Sequence, residues 1–319
     1  MPSQPYFLII DGHALIYRAY HAFPDLTTTS GQLVNAVFGF TRHVLSAIRE
    51  YKPEYLAVTF DHKQPTFRHA DFENYKANRA AMPDDLIPQI GIIKDVVKTL
   101  NFPQFELAGY EADDLIGTLT AQVVALNQQR GSTLMSLIVT GDRDSFQLVD
   151  ETTHVWLPGR TKTQVDTEYD WDAVCERMGV CPEQIVDLKA LMGDASDNIP
   201  GVEGIGEKTA VKLLQTFESL EKLYAAVEKP ATELTPEQQA VLKEKLRTKL
   251  QTGKESALLS QKLARIDRAV PINLDLEACR VSAYDKQAAR ALLDSLGFKS
   301  LLNFLPPDEF ELDIQAALF

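Results

Sequence analysis

The chain has 319 residues, 45% of them apolar and 24% charged, the balance of an ordinary soluble globular protein with room for one large domain or two smaller ones. No apolar run approaches the ~20 residues that span a bilayer, and the net charge of -13 argues against a simple cationic nucleic-acid binder. The charge is uneven: Glu203 to Arg268 holds 12 Lys or Arg against 10 Asp or Glu, a net of +2, and the remainder carries -15. The start lacks a basic region before its apolar residues, so no signal peptide is expected. Cys175, Cys181 and Cys279 have no metal-ligand spacing with histidines and read as free thiols in a reducing cytoplasm.

Taken in chain order, "YFLII" (Tyr6 to Ile10), "YLAVTF" (Tyr55 to Phe60) and "SLIVT" (Ser136 to Thr140) are short apolar runs closed by turn residues. They read as buried strands of a parallel sheet. Helical patterns at Ala36 to Tyr51 and Glu111 to Gln129 lie between them, which gives an α/β fold with a mostly parallel sheet flanked by helices. An α/β region over residues 1–175 is therefore expected. After it the strand signals fade. "EQIVDLKALMG", "GEKTAVKLLQTF", "LEKLYAAVE", "TPEQQAVLKEKLRTKLQTGKESALLSQKLARI" and "DKQAARALLDSLG" predict a helical region over 176–305, and "PPDEFELDIQAALF" predicts a linker over 306–319. No internal repeat or low-complexity tract stands out.

In an open α/β sheet, functional groups gather at the carboxyl ends of strands. Asp11, Asp61, Asp142 and Asp144 follow three such ends. One acid there is ordinarily a turn or cap residue; four are harder to dismiss. "GYEADDL" adds Glu111, Asp113 and Asp114 at a helix start, where the macrodipole alone favours one or two acids. "GDASDNIPG" adds Asp194 and Asp197, whose spacing puts both on one face of a helical turn. Bunched anions repel one another unless cations join them. Oxygen ligands without Cys or His suit Mg²⁺ or Mn²⁺, and nine acids are about right for two ions, the apparatus of phosphodiester hydrolysis.

The segments "LIIDGHALIYRAYHAF", "FDHKQPTFRHADFENYKANR", "GYEADDLIGTL", "VTGDRDSFQLV", "LMGDASDNIPGVEGIGEKTA" and "LLDSLGFKSLLNFL" resemble the 5′-nuclease domain of bacterial DNA polymerase I, a member of the flap endonuclease family. The likeness runs from about Tyr6 to Leu305, and none of the nine acids that match the family's metal ligands is substituted. The resemblance implies Asp11, Asp61, Glu111, Asp113 and Asp114 around one ion, and Asp142, Asp144, Asp194 and Asp197 around the other. It also implies a two-metal 5′-3′ exonuclease and flap endonuclease that leaves 5′-phosphates on DNA with a 5′ flap, nick or 5′ end, or an RNA primer. Work beside a DNA polymerase in replication and repair, a monomeric state and a cytoplasmic place at the nucleoid are further expectations. A non-catalytic DNA-binding relative would be expected to have lost metal acids.

The segment running on from Asp61 carries Arg68, Phe72, Lys76 and Arg79 at helical spacing, with Tyr75 beside Lys76. Alone, such a pattern is more often a solvated helix face. By resemblance, residues 62–95 form a helical arch over the site. Lys76 and Arg79 act there on the scissile phosphate, Tyr75 stacks on a base, and Arg68 and Arg18 contact DNA. His13 and His69 suggest no role.

"GVEGIGEKT", Gly201 to Thr209, nearly spells the P-loop G-x-x-x-x-G-K-[ST], but Glu207 stands at the lysine position and no strand precedes it. A P-loop NTPase is disfavoured. The glycines instead join two helices and resemble a helix-hairpin-helix element, at about residues 185–217, that grips a DNA backbone. Gly201, Gly204 and Gly206 let main-chain N–H groups approach a phosphate, with Lys208 and Thr209 beside the next helix start. The resemblance adds a monovalent cation such as K⁺ at this turn.

Overall fold

The computed structural model describes residues 5–159 and 166–318. Strand β1 (Tyr6–Asp11) leads directly into α1 (Gly12–Ala22), and α2 (Asn35–Tyr51) returns to β2 (Tyr55–Thr59). Then come α3 (Phe67–Asp71), α4 (Ile87–Thr99), β3 (Gln104–Phe105), α5 (Ala112–Arg130), β4 (Met135–Val139), β5 (Thr153–Leu157), β6 (Thr167–Tyr169) and α6 (Trp171–Met178). The sheet order is β3-β2-β1-β4-β5-β6. All pairings are parallel except β5 with β6. The three strands expected from sequence are present. The short β3, the largely buried β5 and the more exposed β6 were not anticipated, because their runs are too short or too polar to read as buried strands.

Pairing puts Ile9 beside Ala57 on one side and Ile138 on the other, so β1 is the centre. The chain leaves β1 toward β2 and comes back across it to β4. At this reversal the loops after β1 and β4 part and leave a crevice at their carboxyl ends.

Strand alternation sends Phe7, Ile9, Ala57 and Ile138 to one face and Leu8, Ile10, Val58 and Val139 to the other. The first face is covered by α5, and the same apolar cluster runs on into α7 (Ile185–Met192), α8 (Glu207–Phe217) and α9 (Leu220–Glu228). The second is covered by α1, α2 and α4. Val281, Leu293, Phe298 and Leu305 also join that second core, so residues 281–305, expected with the helical region, pack on α2 and α4 of the α/β region. The helical run read as one long pattern is α10 (Pro236–Val241), α11 (Glu244–Thr252) and α12 (Lys254–Ala264), interrupted at Leu242 and at Gly253. After α13 (Lys286–Ser295), the predicted linker contains α14 (Glu309–Leu318), tied back by an ion pair between Lys286 and Glu311.

Cys175 and Cys181 form a disulfide, against the expectation of free thiols; Gly179 (φ 72°) reverses the chain after α6 and brings them together. Cys279 is free and buried. No helix of the described residues is long and apolar enough to cross a membrane.

Candidate active site

Asp11 ends β1 and caps α1, accepting from Ala14 N at 3.0 Å and from Thr140 Oγ1 at 2.6 Å. Burial raises its carboxyl to about 7; the two hydrogen bonds oppose the rise, and Asp61 and Asp142 add to it. Asp61 follows β2. Its Oδ1 accepts from Ala112 N at 2.8 Å, and its backbone N donates to His13 Nδ1 at 2.9 Å, which gives that histidine a positioning role not foreseen. Asp113 lies in the first turn of α5. Burial first, then Asp11, Asp142 and Asp144, hold its carboxyl well above the usual range. Asp142 and Asp144 follow β4, Asp142 Oδ1 accepting from Asp144 N at 3.0 Å. Burial and Asp142 push Asp144 up to about 7 against the pull of Lys189.

Four strand-end or helix-start segments thus deliver Asp11, Asp61, Asp113, Asp142 and Asp144 to the crevice. Asp194 and Asp197 reach it from the turn after α7. Burial would raise Asp194, but Lys189 at 2.6 Å and Ser196 outweigh it and hold the carboxyl at about 2.

Cations stand among these acids. Lys189 lies between Asp144 and Asp194, and both raise its ammonium against the effect of burial. Sequence reasoning missed it, although one lysine inside the apolar run "IVDLKALM" was a signal. Lys76 Nζ is 2.7 Å from Glu111 and 3.8 Å from Asp197, and Arg79 Nη2 is 2.5 Å from Asp197. Among the described residues no three acidic or histidine side chains converge, as they stand, to ligate one ion. Ammonium and guanidinium groups occupy Glu111, Asp144, Asp194 and Asp197 instead. The donor set still fits hard divalent ions: it is all oxygen, dense, largely desolvated and self-repelling.

Several expected roles change. Asp114 is fully buried, accepts a bidentate pair from Arg68 at 2.8 and 2.7 Å, and also accepts from the backbone N of Glu111 and Asp267. Its oxygens are engaged away from the crevice, so it positions Glu111 and ties α5 to the chain after α12 rather than ligating metal. Arg68, expected on DNA, is buried in that pair and also donates to Leu263 O and Arg265 O. Tyr75, expected to stack on a base, is 3% exposed, and its hydroxyl donates toward Glu111 (3.1 Å) and Asp197 (3.3 Å).

The arch expected over 62–95 is not one helix: α3 stops at Asp71, turns follow, and helix resumes at Ile87. Lys76 sits at φ +56°, a left-handed backbone that a continuous helix excludes. Residues 74–79 are strapped to the 194–198 turn by Lys76 N to Asp197 O (2.9 Å), Asn198 Nδ2 to Asn74 O (2.6 Å) and Asn78 Nδ2 to Ala195 O (2.6 Å).

A cleft of about 640 Å³ adjoins Asp142 and is lined by Tyr17, Arg18, His21 and Arg143. Arg18 lies over Gly141, where a Cβ would stand 3.2 Å from its Nη1. Arg18 therefore borders the site.

The glycine turn joins α7 to α8 as read from sequence. Gly201 serves packing. It is buried, its N–H donates to Ser260 Oγ at 2.9 Å, and a Cβ there would meet Gly193 N at 2.2 Å. Gly204, Gly206 and Lys208 are exposed, and Thr209 is half-buried in the first turn of α8.

Residues 6–179 match the 5′-3′ exonuclease N-terminal resolvase-like domain, and residues 180–287 match the 5′-3′ exonuclease C-terminal SAM fold. The chain is 42% identical over 312 residues to DNA polymerase I of Chloroflexus aurantiacus, covering 95% of this chain and 31% of that protein. It is 40% identical over 299 residues to DNA polymerase I of Caldicellulosiruptor bescii, covering 93% and 33%. It thus spans about a third of the length of these relatives. In fold it is similar to a bacteriophage T5 flap endonuclease solved as a pseudo-enzyme-product complex with DNA and metal ions (TM-score 0.64, 21% identity, 92% of this chain and 99% of that one). It is also similar to flap endonuclease-1 of Methanococcus jannaschii (TM-score 0.54, 14% identity, 95% and 91%). Matched in order along both its halves, the chain belongs to the 5′-3′ exonuclease family, with the 5′-nuclease region of bacterial DNA polymerase I among its relatives.

Proposed function

We propose that this chain is a divalent-metal-dependent 5′-3′ exodeoxyribonuclease and flap endonuclease that leaves 5′-phosphates. The observation that carries the reading is the gathering of Asp11, Asp61, Asp113, Asp142 and Asp144 at the carboxyl edge of β1, β2 and β4, with Lys189 paired to Asp144 and Lys76 to the neighbouring Glu111. Like charges brought this close, most of them withdrawn from solvent, are costly, and a structural role alone would not concentrate them at the sheet's crevice. Asp11, Asp61, Glu111 and Asp113 would hold one ion, and Asp142, Asp144, Asp194 and Asp197 the other. Two ions, Mg²⁺ or Mn²⁺, would supply charge neutralisation at the phosphate and an acidified water.

Lys76 and Arg79, released from Glu111 and Asp197, present their cations to the scissile phosphate. Arg18 and the cleft beside Asp142 receive the neighbouring backbone. The exposed part of the glycine turn, with Lys208 and Thr209, holds the duplex. DNA with a 5′ flap, nick or free 5′ end is the substrate class, RNA primers included. The nuclease works as a monomer, in the cytoplasm at the nucleoid and beside a DNA polymerase. The K⁺ expected at the turn is not part of this reading, because the Lys249 ammonium already lies on the Gly204 carbonyl.

The test is a 5′-flap duplex incubated with and without Mg²⁺, with products sized on a gel and then offered to a ligase. Cleavage only with Mg²⁺, giving ligatable 5′-phosphate ends, is expected. Undiminished cleavage in EDTA, or 5′-hydroxyl ends, would overturn the reading.

A further inference from the structure

We propose that Lys249 is the built-in cation of the glycine turn: its ammonium stands where an alkali ion would sit and contacts the DNA phosphate that the turn holds. The inference rests on the reading of the turn as a phosphate site. Lys249 lies in the last turn of α11, and its Nζ donates to Gly204 O at 3.0 Å. The side chain lies across the exposed glycine: a Cβ on Gly204 would meet Lys249 Nζ at 2.3 Å and Cε at 3.3 Å. Gly204 is left-handed (φ +73°), so the position both demands glycine and leaves room for the lysine.

Among the described residues no carboxylate lies within 4.0 Å of this ammonium, whereas Lys222, Lys254, Lys262 and Lys286 each have one. An ammonium carries three donors, and the Gly204 carbonyl takes one. The helix that carries Lys249 is fixed to the turn. Leu250 is fully buried, and the Gly253 backbone packs on Val202, where a Cβ would stand 2.7 Å from Val202 Cγ1. Nothing lies within 4 Å of where a Cβ on Gly206 would be, so a phosphate can approach the backbone two residues along from the Gly204 carbonyl that the lysine holds.

An alkali ion on the same carbonyl would place a second positive charge at contact distance from the first, which is repulsive at any effective dielectric. The turn therefore does not fit the expected K⁺. A tethered ammonium has the same charge and is present at every salt composition. Binding of duplex DNA should then be indifferent to the identity of the monovalent cation.

The test is anisotropy of a fluorescein-labelled 5′-flap duplex in EDTA, at one ionic strength, in KCl, NaCl and tetramethylammonium chloride. Wild-type Kd should agree within about twofold across the three salts, and Lys249→Met should weaken binding about tenfold, the worth of one charge-assisted contact. A several-fold loss by wild type when K⁺ is withdrawn would overturn the proposal, and needs no variant. Wild-type affinity in a folded Lys249→Met, its melting temperature checked, would overturn it too. Lys208→Ala separates the two layers. If it weakens binding while Lys249→Met does not, only this inference fails; if neither weakens binding, the turn is not a DNA site and the functional reading of it fails as well.

Discussion

The acidic crevice at the sheet edge and the glycine turn between α7 and α8 stand on opposite electrostatic footings. In the crevice the side chains carry everything. Buried carboxylates repel one another, and Lys76, Arg79 and Lys189 stand between them. At the turn the exposed glycines have no side chains, and what they leave to solvent is backbone, the start of α8 and the Lys249 ammonium on the Gly204 carbonyl. Changes in the crevice should therefore alter chemistry and pH-dependent stability, whereas changes at the turn should alter only how tightly DNA is held.

The largest expected effect comes from Asp142→Ala or Asp11→Ala. Single-turnover cleavage of a 5′-flap duplex should fall at least about a thousandfold, since several kcal/mol of transition-state stabilisation are lost. Duplex affinity should stay within about threefold. Turnover like wild type at millimolar Mg²⁺ would place the chemistry elsewhere and end the comparison. Next, Arg68→Ala should cost about 3–5 kcal/mol in a urea melt, because it leaves Asp114 buried without its partner. A variant as stable as wild type, with weaker DNA binding, would return Arg68 to the DNA surface.

Lys76→Ala should lower the single-turnover rate about a hundredfold while affinity changes much less, as expected of a cation that meets charge developing in the reaction. Loss of affinity at unchanged rate would move Lys76 to the holding side of the comparison.

The pH dependence is smaller and has a definite sign. Asp11 and Asp144 have native values of about 7 against 3.8, so between those limits the folded protein binds more protons than the unfolded chain. Their stabilising contribution is complete below about pH 4 and is lost as pH rises through 7. Asp194, at about 2, acts oppositely, its contribution present above 3.8 and lost as pH falls through 2. In EDTA the melting temperature should drop between pH 5.5 and 8, and Mg²⁺ should narrow the drop. The same slope in an Asp11→Asn, Asp144→Asn double variant would show that other groups cause it.

The smallest effects belong to the turn. Gly204→Val should raise the apparent KM severalfold and leave the rate at saturating DNA unchanged, since no acid of the crevice moves. Lys208→Ala should reduce the slope of log K against log[salt] by about 0.9, one phosphate contact. A Gly204→Val protein that binds duplex normally would make the turn a structural corner only.

Part of this was legible in the sequence. Tyr6 to Ile10, Tyr55 to Phe60 and Ser136 to Thr140 announce their strands because buried parallel strands must be apolar throughout. Strands fix where their ends lie, so Asp11, Asp61 and Asp142 could be placed at one edge before any coordinates. The shared edge and the likeness of six ordered segments were enough to indicate a nuclease. Helix spacing already turns Asp113 away from the face that Glu111 and Asp114 share, but that Asp114 would be taken by Arg68, 46 residues earlier, was not legible.

Tertiary structure alone decided which charges meet. Helical spacing placed Arg68, Phe72, Lys76 and Arg79 on one helical arch, but the 194–198 turn, more than a hundred residues later, straps the segment, and Lys76 is left-handed. Lys189 and Lys249 were two lysines among many until folding aimed one at Asp144 and the other at Gly204. Sequence determines local periodicity, strand ends and residue chemistry, which are properties of neighbours in the chain. The pairing of charges depends on distances between remote segments, and those are fixed only when the cores on both faces of the sheet close.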